Sequence, residues 1–245
     1  MSACAPQGAD FRSLTGAWLV LLAGLAATSP VSAEIGTSLS LASEQMFRGR
    51  SISQGRPTAG IDISYDHSSG FYVGGQGRFV YARGDDVRWL SATSYAGYAW
   101  RARPDLTIDL GVVDTRFSSY SSLGRSTGYD EATIGLIGRH LSARVSVSPN
   151  WFGPNLYTGY GEAAAMIGSR TGWRLTLHGG VLTWLYGPRA PVVPRTRYDY
   201  RLGIGRTVGR FELEAAWVGT GARPDFYAGR TRGHGRIVAT LAARL

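Results

Sequence analysis

From residue 36 to the C-terminus, apolar side chains recur at every second position of the chain. Successive side chains of a β-strand point to opposite faces, so this period marks strands with one greasy and one polar face. Ala59, Ile61, Ile63 and Tyr65 alternate with Gly60, Asp62, Ser64 and Asp66. Leu141, Ala143, Val145 and Val147 alternate with Ser142, Arg144, Ser146 and Ser148, and Phe211, Leu213, Ala215 and Trp217 alternate with Glu212 and Glu214. Twelve such segments can be counted, over about residues 36–47, 58–67, 71–82, 87–100, 105–117, 129–139, 141–150, 156–168, 172–185, 196–206, 210–219 and 235–245. Each is close to the roughly 9–11 residues that a tilted strand needs to cross a bilayer.

The connections follow their own rhythm. Segments two and three meet at His67-Ser-Ser-Gly70, and later pairs at Arg101–Pro104, Arg139-His140, Ser169–Thr171 and Val208-Gly209. Segments one and two, five and six, nine and ten, and eleven and twelve are joined by longer stretches rich in Gly, Ser, Pro and Arg, with two linkers of intermediate length. Short turns alternating with long loops predict an all-β fold, a closed antiparallel up-and-down transmembrane barrel of about twelve strands. An even strand number puts both chain ends on the short-turn side. Only a closed barrel or helices satisfy every backbone group in lipid. The one helical-looking apolar run, Ala17–Ala27, is too short to span a bilayer. Arg12 precedes that run and Val31-Ser32-Ala33 follows it, so residues 1–33 read as a cleaved secretory signal, with the barrel over 34–245.

Composition limits the alternatives. The single cysteine, Cys4, excludes a disulfide scaffold and a cysteine-based zinc site. Of 245 residues 34 are Gly, all 26 basic residues are Arg, and the formal net charge is +9. Which face points inward then decides what kind of barrel this is. The polar face carries Asp62, Asp66, Arg78, Asp109, Glu131, Arg139, Arg144, Arg174, His178, Asp199, Arg201, Glu212 and Glu214, and these are the expected pore-lining residues. Arg78, Arg144, Arg174 and Arg201 are the leading cations among them. The apolar face carries aliphatics and, toward segment ends, Phe71, Tyr81, Trp100, Trp151, Trp173, Tyr198 and Phe211. Such aromatics resemble the interfacial girdles of barrels whose greasy side meets lipid. Opposed Arg and carboxylate rows can pair across the interior or leave a charged constriction.

The stretch Met46-Phe-Arg-Gly-Arg-Ser-Ile-Ser-Gln54, followed by Pro57, Gly60, Asp62, Tyr65 and Ser69-Gly-Phe-Tyr-Val-Gly74, is similar to the signature of the TorF porin family. Arg50, Ser51 and Ile52 intervene between its Arg-Gly and Ser-Gln, and Gln76 stands where a Trp is expected. The resemblance implies a proteobacterial outer-membrane barrel acting as a passive channel for small hydrophilic solutes. It brings neither catalytic residues nor a cofactor. The expected partners are small solutes, outer-membrane lipids and lipopolysaccharide, and, from the alternating apolar C-terminus ending in Leu245, the barrel-assembly machinery. The oligomeric state stays open.

Other chemistry is thin. The expected external loops hold Arg48, Arg50, Arg56, Arg125, Arg189, Arg195, Arg223, Arg230 and Arg232, suited to steering anionic solutes or to contacting lipid phosphates. Nucleic acid is a poor reading, because the chain is exported and carries no binding motif. His67 and Ser69 stand two apart, as in lipid hydrolases of the outer membrane, yet they fall on an expected turn. Asp66 and His67 lack further metal ligands, and His178, His140 and His234 read as isolated. Arg83-Gly84-Asp85 matches an adhesion tripeptide, but Gly-Asp is also an ordinary turn signal. A lipid or lipopolysaccharide hydrolase, and a plugged structural or surface-contact barrel, are the alternatives to a channel.

Overall fold

The computed structural model describes residues 34–82, 84, 86–123, 125–169, 171–189, 194–221 and 235–245. Residues 1–33, over which a leader is expected, and Arg83, Asp85, Arg223, Arg230, Arg232 and His234 lie outside the described residues. Fourteen strands follow in chain order: β1 (Glu34–Ala42), β2 (Met46–Phe47), β3 (Arg50–Ser51), β4 (Thr58–Asp66), β5 (Phe71–Tyr81), β6 (Val87–Arg103) and β7 (Leu106–Phe117), then β8 (Thr127–Gly138), β9 (Leu141–Ser148), β10 (Tyr157–Gly168), β11 (Trp173–Tyr186), β12 (Thr196–Val208), β13 (Phe211–Thr220) and β14 (Arg236–Arg244). Twelve of them form one closed antiparallel barrel, with β1 bonded to both β4 and β14. The remaining pair, β2 and β3, is a separate two-stranded hairpin. The expected first segment therefore ends early. Its barrel part stops at Ala42, and Met46 and Phe47 belong to the hairpin.

Each barrel strand alternates in burial as it does in sequence. In β13 the outward Phe211, Leu213, Ala215 and Trp217 are exposed while Glu212, Glu214, Ala216 and Val218 are buried. Outward aliphatics lie directly across from one another in neighbouring strands, as Leu110 lies across from Ile134 and Leu202 from Trp217. These side chains are half exposed around the whole circumference, Ile134 and Leu110 both 52%. An apolar surface of this extent belongs in hydrocarbon, because soluble proteins rarely expose more than a few hundred Å² of contiguous apolar patch. Phe71, Tyr98, Trp100, Trp173 and Phe211 ring the short-turn end, and Tyr81, Trp89, Tyr157, Tyr186 and Tyr198 ring the loop end, all exposed.

The short turns are 67–70, 104–105, 139–140, 169–172 and 209–210, and all of them lie at one end. Glu34 and Leu245 lie at that same end, where the Leu245 N–H donates to the Thr37 carbonyl. The strand ends joined by the longer connections 43–57, 82–86, 118–126, 149–156, 187–195 and 221–235 lie at the other. One charged residue of the expected interior set is displaced by these boundaries. Arg139 continues the inward parity of Glu131 and Ile137, but β8 ends at Gly138, so Arg139 sits exposed in the turn rather than in the lumen.

The outward face sets a stability test. Ile134→Arg puts a guanidinium in the apolar band and is expected to cost about 2–4 kcal/mol in reversible unfolding from lipid vesicles. Thr133→Ser, one residue away on the inner face, should stay within about 0.5 kcal/mol of the parent.

Candidate functional site: a lumen crossed by an inward hairpin

The interior has two halves with different chemistry. Nearest the short turns it is ionic. Arg174 donates to Glu212 and lies 3.8 Å from Glu214, and Arg201 Nε donates to Glu214 at 3.2 Å. Arg244 reaches Glu212 at 3.9 Å. In the middle of the barrel Arg144 stands across from Glu162 in the β9–β10 register and lies 3.7 Å from Asp109. His178 Nε2 meets Asp199 at 3.0 Å, and its other ring nitrogen faces Glu162 at 3.9 Å. On the wall formed by β1, β4 and β5, Arg78 donates to Asp62 at 2.7 Å, and the Ser38 hydroxyl donates to the same carboxylate at 3.3 Å. Twelve of the thirteen expected lining residues thus point inward, and Arg139 does not. Asp66 is the outermost of them, at the short-turn mouth across from Glu34.

Glu162 and three tyrosines were not legible as interior residues. Tyr72 lies flat along the inner wall over Gly97, which has no side chain to obstruct it, and its hydroxyl donates to Asp109 at 2.8 Å. Tyr160 covers Gly180 in the same way and donates to Asp199 at 3.1 Å. Tyr95 lies against Gly74. Large ring plus bare glycine is a tile that lines a wall without filling the bore, and it gives part of the glycine content a structural purpose.

Toward the loops the lumen becomes an apolar core. Val80, Leu90, Phe117, Tyr129, Tyr160, Leu182 and Trp184 of the wall pack with Phe47, Ile52, Trp151, Phe152 and Leu156, which loops 43–57 and 149–156 fold inward. Trp151 is therefore no girdle residue. It is 1% exposed, 4.4 Å from the Tyr129 ring and 4.6 Å from that of Phe152.

The hairpin β2–β3 crosses this half. Its two-residue turn, Arg48-Gly49, has φ of 46° and 76°, the left-handed pair that tight hairpins of type I′ require. Gly49 also packs against the β13 backbone, where an added Cβ would run into the Gly219 carbonyl. A non-glycine residue at positive φ costs on the order of 1–3 kcal/mol, so the contacts of Arg48 must more than offset that strain. They are close. Its Nη2 donates to Glu131 at 2.6 Å, and its guanidinium carbon lies 3.9 Å from the Tyr160 ring centre and 4.4 Å from that of Trp151. Arg48 was expected among exposed loop cations; it is instead 7% exposed. Met46, on the hairpin's other side, packs on Ala216, Val218 and Val238 of β13 and β14.

The rest of loop 43–57 holds the hairpin in place. Ser53 is fully buried, accepting from the Gln45 N–H at 3.0 Å and donating to the Arg56 carbonyl at 2.8 Å. Arg236 forks onto Glu44 at 2.8 and 3.0 Å, and the Ser122 N–H donates to the Ile52 carbonyl at 2.8 Å. Between the hairpin and strands β5 to β8 remains a cavity of about 40 Å³, lined by Phe47, Arg78, Thr93, Tyr129 and Glu131, with space for a few waters. The motif Phe47-Arg48-Gly49 and Ser53-Gln54 is thus the tip and the base of one inward-folded element.

The His67–Ser69 pair is local to its turn. The Ser69 hydroxyl lies 2.8 Å from His67 Nδ1, and the same nitrogen accepts from the Ser69 N–H at 3.2 Å. Among the described residues no carboxylate lies within ion-pair distance of His67.

Fold and lumen together define a transmembrane β-barrel of twelve strands with an ionic inner half and a hairpin across the other. Residues 25–244 match the family described as "Bacterial protein of unknown function (Gcw_chp)", and the chain belongs to that family. Its architecture is similar to the NanC porin, with 7% identity, 85% of this chain and 100% of that one covered, and a TM-score of 0.60. The KdgM porin is similar at 9% identity, covering 85% of this chain and 98% of that one, with a TM-score of 0.52. At such identities the likeness is one of fold. Comparison with curated proteins returned no match.

The Arg48–Glu131 pair carries a direct prediction. Glu131→Ala leaves a guanidinium in an apolar cluster without its counter-charge, a loss of about 3–5 kcal/mol when the partner stays buried. The barrel is expected to stay closed while the hairpin lets go. Limited trypsin digestion of folded protein should then give a peptide ending at Arg48, a cut that the parent resists.

Proposed function

We propose that this protein is an outer-membrane channel of the porin type, narrowed by its own hairpin, that passes small hydrophilic and mainly anionic solutes. The observation that carries the reading is a closed barrel with an apolar outside and a continuous charged lining from the short-turn mouth to mid-barrel. A twelve-stranded barrel is wider than the eight-stranded kind that side chains fill, so its ionic half has room for water. Arg144, His178 and Arg201 keep side-chain exposures of 15%, 15% and 18% there, consistent with contact to water inside the barrel.

The anion preference rests on the mouths. Arg101, Arg103, Arg206, Arg210 and Arg244 stand around the short-turn end, and Arg56, Arg88, Arg125, Arg189 and Arg195 around the loop end. A surplus of one sign at an entrance raises the local concentration of the opposite ion. The lining itself is nearly balanced by ion pairs, so the mouths rather than the bore give the selectivity. The leader 1–33, the TorF-like residues and the fold shared with two porins support placement in the outer membrane. Lipopolysaccharide phosphates are then the natural neighbours of the loop-end arginines.

Planar-bilayer recording tests this. The parent is expected to give small unitary steps, and replacing residues 46–51 by a Gly/Ser stretch of equal length should enlarge them severalfold. In a potassium chloride gradient at low salt the reversal potential should have the sign of chloride permeation and should shrink as salt screens the mouths. Silence from well-folded hairpin-replaced protein would end the channel reading. A cation-selective reversal potential would end the anion reading alone.

A further inference from the structure

The contacts of Arg48 describe a receptor as well as a latch. A guanidinium over the faces of Tyr160 and Trp151, edged by Tyr129 and paired with one carboxylate, is how proteins recognise free organic cations. Glu131, Tyr129, Trp151 and Tyr160 belong to the wall and to loop 149–156, and the hairpin that brings the cation adds its own Phe47 ring at 5.3 Å. Beside this cage, two inward hydroxyls, Ser146 Oγ and Thr158 Oγ1, are buried without a hydrogen-bond partner, and each of these residues is 1% exposed. Ser146 lies directly across from Tyr160, and Thr158 is on the same face of β10. Buried hydroxyls are normally satisfied, so an unfilled pair next to a cation cage has capacity for a ligand that carries more donors than the one Arg48 delivers.

We infer that Glu131, Tyr129, Trp151 and Tyr160 form a binding site for small guanidinium compounds, which Arg48 occupies as a tethered ligand. The strained φ of Arg48 agrees with this division of roles. The tether bends to present its cation, and the wall is shaped for the cation itself. A free guanidinium that takes the place of Arg48 releases the hairpin, so the same site couples solute recognition to the width of the bore. That last step rests on the channel reading; the binding does not.

The experiment is therefore a binding measurement in detergent micelles. Arg48→Gly removes the side chain and suits the left-handed backbone. Calorimetric titration of folded Arg48→Gly barrel with methylguanidinium is expected to give one saturable site in the millimolar range. The parent, whose cage is filled, should show binding at least about tenfold weaker, and so should Arg48→Gly with Glu131→Gln, which lacks the charge-assisted hydrogen bond. Sodium and tetramethylammonium at the same concentrations control for charge alone and for aromatic contact without donors; both should bind more weakly than methylguanidinium. Arg48→Asn is the second background should the glycine variant not close into a heat-modifiable barrel. No binding to either folded variant would overturn the inference, as would equal binding to the parent or to the Glu131→Gln form. Binding as expected, with no conductance in any variant, would sustain the receptor and remove the channel.

Discussion

A backbone in hydrocarbon has no water to bond with, and every N–H and C=O left unpaired costs several kcal/mol. For this chain the constraint is met by one closure, the pairing of β1 with β4 on one side and β14 on the other. The rest follows from it. Once the ribbon is closed, each strand has an inside and an outside, and a shift of one residue in register would turn Ile61 and Ile63 inward and Asp62 into lipid. The cost of such an inversion, repeated over twelve strands, holds the register more firmly than any single contact does.

Closure also creates a problem, because it leaves a bore that twelve strands cannot fill from the wall alone. Each end of the barrel answers it differently. At the loop end the filling is imported, with Phe47 and Ile52 arriving on one loop and Trp151, Phe152 and Leu156 on another, to pack against Phe117, Tyr129 and Tyr160. At the short-turn end nothing comes in, and the wall stays ionic, with Arg174, Arg201 and Arg244 set against Glu212 and Glu214. Paired charges are a weak source of stability compared with apolar filling. At the short-turn end such pairs line the bore without any apolar filling, so they add little to holding the barrel together.

The sequence was most legible where chemistry and period coincide. Asp62, Asp66 and Arg144 could be assigned to the inner face because bulky apolar neighbours alternate with them without interruption. The period failed in three recognisable ways. Glu162 sits among Gly161, Ala163, Ala164 and Ala165, and residues that small mark no face. Tyr72 and Tyr160 are aromatic and inward, a combination that alternation reads the wrong way round unless a cross-strand glycine is known to make space for the ring. Trp151 and Arg48 belong to loops, where a side chain's direction is set by tertiary contacts that leave no periodic trace. The Arg48-Gly49 turn has the positive-φ geometry usually announced by Asn-Gly, and arginine gives no such local signal.

Arg48 also stands at the boundary between the two halves, and this position explains its contacts. A cation in the apolar half needs both a counter-charge and polarisable faces, which Glu131 and the rings of Trp151 and Tyr160 supply together. Without the hairpin, Glu131 would be a carboxylate without its counter-charge at the base of an aromatic cup. The wall and the hairpin are thus incomplete separately: one holds a charge that lacks a partner, the other holds a strained turn that lacks a reason. Each resolves the other's defect. The hairpin is thus held from the wall, by this charged contact together with the packing of Phe47 and Met46, more than by its own short pairing of two residues per strand, and none of these contacts is part of the closure that keeps the barrel in lipid.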